Sequence, residues 1–184
     1  MRKNKLFSLL CMAGLFILPS CQSTPKIQTV PHVDLPRFMG DWYVIANIPT
    51  FIEKGAHNAI ESYKLLPDGT IATTFTFRDR SFDGPLKKYT PRGFVVNKKT
   101  NAQWAMQFIW PFKGEFLIIY LNNDYSITVI GRSALDYLWI MARTPSITEE
   151  EYHTLIKFVE DIGYDVSKIQ KVPQRWDSDS KSAK

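Results

Sequence analysis

The chain has 184 residues, 45% hydrophobic and 14% aromatic, with two cysteines and a formal net charge of +5. That length suits one domain with its own core, which excludes a stapled mini-protein, and the aromatic share excludes a disordered chain. Two cysteines cannot build a Cys-rich zinc site or a disulfide framework, while the positive balance admits an anionic partner until its source is located.

Residues 1–20 read as a secretory signal peptide. Arg2, Lys3 and Lys5 make a positive start, and an almost wholly apolar run follows over 6–18. Such a run is too short for the ~30 Å of a bilayer's hydrocarbon, and its charged start and small-residue end fit an export signal. Leu18-Pro19-Ser20-Cys21 closes it and resembles the bacterial lipobox, Pro19 departing from the commonest residue at its place. The resemblance implies that Cys21 becomes the mature N-terminus, carrying diacylglycerol and an amide-linked acyl chain such as palmitate. Three acyl chains exceed the regime of marginal one-chain binding, so stable anchoring is expected. Gln22 in place of Asp implies, by the sorting rule of such lipoproteins, the outer membrane of a Gram-negative envelope.

Removing residues 1–20 takes away three basic residues and no acid, so +5 falls to +2. The basic character is mostly signal peptide, and no nucleic-acid partner is expected. Residues 21–33 read as a lipidated tether, with Pro25 and Pro31 and no strand or helix period. Residues 22–35 reach at most about 46 Å when extended. Residues 177–184 are low-complexity and expected to be disordered, which leaves a domain over 34–176.

Within that domain short β-rich stretches come first, over 42–47, 59–66, 70–78, 87–96, 102–110, 115–121, 125–131 and 136–143. Pro67-Asp68-Gly69, Asp83-Gly84-Pro85, the 97–101 run and Asn122-Asn123-Asp124 separate several of them with turn chemistry. Eight strands joined by hairpin-length turns predict an all-β antiparallel sandwich or barrel and do not suit a parallel α/β sheet. A helix follows. Thr148 and Glu151 form a Thr-x-x-Glu capping box, and Tyr152, Leu155, Ile156, Val159 and Ile162 recur at helical spacing before Gly163. Its apolar stripe is expected to pack on the outside of the sheet, and a short strand over 168–172 to add to an edge.

Gly40-Asp41-Trp42-Tyr43, after a Pro-initiated helical turn over 35–39, resembles the Gly-x-Trp-Tyr motif of the lipocalins. Asn123-Asp124-Tyr125 is similar to their second motif, with Asn at its first place, and Arg143 matches the third. The set covers about 34–172 and, with Tyr137-Leu138-Trp139-Ile140 and the lipobox, resembles the bacterial branch of the family. The resemblance implies an eight-stranded up-and-down barrel with the C-terminal helix outside it. It also implies that Trp42 closes the barrel floor and Arg143 lies across its ring, so Gly40, Trp42, Tyr43, Asp124, Tyr125 and Arg143 are structural. A guanidinium over indole contributes about 0.5–2 kcal/mol.

A barrel of this size has room for one small ligand. Strand alternation puts Tyr137, Trp139 and Met141 on Arg143's inner face, Trp104, Met106 and Phe108 on another, and Phe75 with Phe77 on a third. Tyr63 joins them. Candidate ligand residues are therefore Trp139, Tyr137, Phe108, Trp104, Phe77, Phe75 and Tyr63, set against the plainer reading that they only fill the core. The resemblance implies a fatty acid or lysophospholipid as ligand, for storage or transport in envelope lipid maintenance. Lys87, Lys88 and Arg80 could meet a phosphate, although a charge run is more often a solvated face. No cofactor, metal or enzymatic activity is expected. His32, His57 and His153 lack partners at metal spacing, Gly-x-Ser-x-Gly is absent, and the catalytic lipocalins use a pocket cysteine. The rival reading is a structural or protein-binding outer-membrane lipoprotein with a filled barrel. Analogy allows a homodimer, which nothing in the sequence fixes.

Overall fold

The computed structural model describes residues 27–176. The expected signal peptide, Cys21 with most of the expected tether, and the tail over 177–184 lie outside the described residues. A short helix, α1 (Leu35–Phe38), leads into β1 (Gly40–Ile48), β2 (Ala56–Leu65), β3 (Thr70–Asp79), β4 (Leu86–Tyr89) and β5 (Arg92–Val95). Then come β6 (Gln103–Ile109), β7 (Phe112–Leu121), β8 (Ile127–Gly131) and β9 (Leu138–Ala142). Helix α2 (Glu149–Asp161), a 3₁₀ turn (Val166–Lys168) and β10 (Gln170–Lys171) complete the chain.

Neighbouring strands pair antiparallel in chain order, and β1 pairs β9 as well as β2, so the sheet closes on itself. β4 and β5 both pair β3 and form one interrupted strand of an eight-stranded barrel. The continuous strand expected over 87–96 is broken at Thr90-Pro91 because proline has no N–H for the ladder, although the Pro91 carbonyl still accepts from Thr73 N at 3.1 Å. Two other expected strands begin later than their sequences suggest. Tyr125, at φ 62°, belongs to a turn that the Asn122 side chain holds by accepting from Ser126 N and Ile127 N, each at 2.9 Å. Asp136 and Tyr137 lie in the loop before β9. In the other direction, β7 starts at Phe112, inside a stretch with turn composition.

Alternation splits the core in two. Phe75, Phe77, Trp104, Met106, Phe116 and Met141 lie inside the barrel with Trp42. Ile45, Leu117, Ile119, Val129, Leu138 and Ile140 face outward and are covered by Leu155 and Val159 of α2. Those strands are buried on both faces, which explains why every residue of Ile127–Gly131 is buried, Thr128 included, its hydroxyl donating to the Tyr120 carbonyl at 2.9 Å. The expected capping box is formed, Glu151 N donating to Thr148 Oγ1 and Thr148 N to the Glu151 carboxylate. β10 adds to the edge of β1 through Ala46–Lys171 and Asn47–Gln170 pairs.

Candidate ligand cavity

One end of the barrel is plugged. Trp42 is fully buried, packs at a tilt against the Phe38 ring and donates its Nε1–H to the Phe38 carbonyl at 2.9 Å. The Arg143 guanidinium lies 3.7 Å from the Trp42 ring centre. It donates to the carbonyls of Arg37, Phe38, Met39 and Asp41 at 2.8–3.0 Å, and to that of Tyr125 at 3.3 Å. One cation thus satisfies the carbonyl end of α1 and covers an aromatic face. Burial pulls the Arg143 pKa down to about 10, which still leaves it charged at neutral pH. Gly40 has φ +94°, and a Cβ there would sit 3.4 Å from Arg143 Nη1. The Tyr125 hydroxyl accepts from Asp34 N at 2.9 Å, under the Arg37 guanidinium. Asp124 accepts from Ser126 Oγ, and Tyr43 faces the outer side against Trp176.

The other end is open and leads into a cavity of about 380 Å³. Its inner wall carries Phe75, Met106 and Phe116, and its mouth Phe51, Phe108, Ile109 and Phe112, with Lys113, Glu115 and Arg132 among them. The mouth is built by the 49–55 loop, the β6–β7 hairpin and the loop before β9. Two buried carboxylates face this apolar space. Glu53 accepts from Trp139 Nε1 at 3.0 Å and from Thr50 N at 3.0 Å, which pins the loop bearing Phe51 to β9. Glu61 on β2 is 7% exposed, and the Tyr63 hydroxyl donates to it. Burial pushes the Glu61 pKa up to about 7, its bond from Tyr63 opposing and the nearby Glu53 adding to the rise. Burial raises Glu53 as well, against its hydrogen bonds. Among the described residues, no group of three or more His, Cys, Asp or Glu side chains could hold a metal ion.

Of the seven candidate ligand residues, Trp139, Tyr137, Phe108 and Phe75 line the cavity. Trp104, Phe77 and Tyr63 do not. Trp104 and Tyr63 pack against each other edge-on and against Phe38 beneath the cavity, Trp104 stacking on Phe116 of the wall above and Tyr63 meeting it edge-on, and Phe77 packs against Phe75 and Tyr89. Alternation assigns these side chains to the inside, but not to a depth, and depth separates plug from cavity. Arg80, Lys87 and Lys88 also lie away from the lining. Sequence reasoning missed Glu53 and Glu61. Glu61 was recoverable, since it shares the inner face with Tyr63 two residues on. Glu53 sits in a turn without periodicity and left no such signal.

The Lipocalin-like domain family matches residues 33–174. The chain is 33% identical to Temperature-induced lipocalin-1 of Arabidopsis thaliana, over 81% of this chain and 83% of that protein. It is 29% identical to the outer membrane lipoprotein Blc of Escherichia coli, over 86% of this chain and 91% of the relative. Among solved structures, insecticyanin of the tobacco hornworm Manduca sexta superposes with a TM-score of 0.66 at 14% identity, covering 85% of this chain and 87% of that one.

Proposed function

The chain belongs to the lipocalin family, whose members bind small hydrophobic ligands and are generally not enzymes, and from this premise we propose that it is an outer-membrane lipoprotein that holds a single-chain lipid in its barrel. The ligand is a fatty acid or lysophospholipid, stored or carried for envelope lipid maintenance while the acyl chains on Cys21 anchor the protein. The observation that carries this reading is the open cavity of about 380 Å³ with its aromatic wall. Each buried methylene of an acyl chain contributes about 0.8 kcal/mol. The names of the bacterial relatives, outer membrane lipoproteins, support the location.

The test uses the Cys21→Ala chain, which has no acyl group of its own to enter the cavity, purified without detergent. Native mass spectrometry is expected to find co-purified lipid, and added lysophospholipid to change the tryptophan fluorescence. Gly114 lines the cavity, and a Cβ there meets nothing closer than 3.8 Å. Gly114→Trp is therefore expected to fold normally and to weaken lysophospholipid binding at least tenfold. An empty protein with no fluorescence response would favour a purely structural lipoprotein.

A further inference from the structure

Exposed large apolar side chains are concentrated at the cavity mouth. Phe51 is 87% exposed, Trp110 81% and Phe112 76%, with Ile109 and Phe108 beside them. Phe51, Phe108, Ile109 and Phe112 line the mouth, and Trp110 occupies the tip of the β6–β7 hairpin. A soluble protein keeps such side chains scattered; a contiguous aromatic cluster marks an interaction surface. We propose that this rim docks on the interfacial layer of an anionic phospholipid bilayer, so that the cavity opens directly onto the membrane.

Two features identify the bilayer as the occupant. Indole and phenyl groups projecting beside lysines suit the boundary between headgroups and acyl chains, where Trp is enriched. Exposed Lys54 follows Phe51 and Ile52 on one loop, and Lys113 follows Phe112 on the next, so both apolar projections carry an adjacent cation. Among the described residues neither lysine forms an ion pair; the Lys113 ammonium lies 3.8 Å from the Phe94 ring centre, and Lys54 is exposed at the rim, where it can meet a lipid phosphate. The chain outside the structure agrees. Cys21 is only six residues before Ile27, so an acylated Cys21 holds the domain within about 20 Å of the headgroups.

The proposal rests on the lipid-cavity reading for its purpose, but its measurement does not depend on it. Vesicles of phosphatidylethanolamine with phosphatidylglycerol are mixed with the Cys21→Ala chain and separated by flotation. The chain is expected to float with the vesicles, and brominated acyl chains to quench a tryptophan signal that Trp110→Phe removes. Trp110→Ser with Phe112→Ser is expected to keep the melting temperature and lower the vesicle-bound fraction at least tenfold. Replacing phosphatidylglycerol with phosphatidylcholine should weaken binding severalfold. Absence of flotation would overturn the proposal, as would a stable dimer that the double variant splits, because a second copy would then cover the rim. A chain that fails to float yet carries lipid leaves the cavity reading standing. One that floats yet takes up no lipid removes that reading alone.

Discussion

Glu61 is the residue with the clearest consequence for pH. Its pKa in the fold, about 7, exceeds the ordinary carboxyl value of 4.5, so the native state holds a proton that the unfolded chain releases. Stability therefore falls as pH rises from about 4.5 to about 7 and levels off above. Glu61→Gln keeps an acceptor for Tyr63 and removes the ionisation. Its advantage over the natural chain is expected to grow across that window to about 3 kcal/mol at pH 8, read by urea unfolding at each pH. Glu53 acts in the same sense and remains in the variant, so the difference between the two chains is the test. At the closed end, Trp42→Ala removes a fully buried ring and is expected to cost about 4 kcal/mol. Arg143→Lys keeps the charge but not the planar fork that reaches five carbonyls, and is expected to cost about 2 kcal/mol. Unchanged melting of either variant would contradict the structural role of this motif pair.

Elements were legible in the sequence where a local rule decides them. The Thr148 cap, the Leu155–Val159 spacing and the Asp68-Gly69 turn each follow from a few neighbouring residues. Thr148→Ala should accordingly lower stability by about 1 kcal/mol, seen as a shift in the urea midpoint without a change of slope. Failures occurred where a distant partner decides. The start of β7 at Phe112 depends on pairing with Ile109 across the hairpin, which overrides the turn composition of its sequence. Pro91 interrupts a strand whose two halves still read β-rich, because a missing N–H matters only once a partner strand is aligned beside it. The 49–55 loop is ordered by Glu53 reaching Trp139, a partner 86 residues away.

For the whole molecule, the expected eight strands and C-terminal helix agree with the structure because of periodicity, which left sandwich and barrel open; the closed barrel that the structure shows was implied by the family resemblance. Alternating apolar residues must choose between inside and outside, and a helix with one apolar stripe must find the outside. The Gly40, Trp42 and Arg143 pattern added the closed end. Inside and outside were therefore decided by the sequence itself. What only the tertiary structure decided is position along the barrel axis. It put Trp104, Tyr63 and Phe77 into packed regions, left Trp139, Tyr137, Phe108 and Phe75 on a cavity wall, faced Glu53 and Glu61 into that cavity, and gathered Phe51, Trp110 and Phe112 at one mouth. Side-chain alternation is a property of one strand, whereas height in the barrel is set by the register between strands, which distant residues determine together.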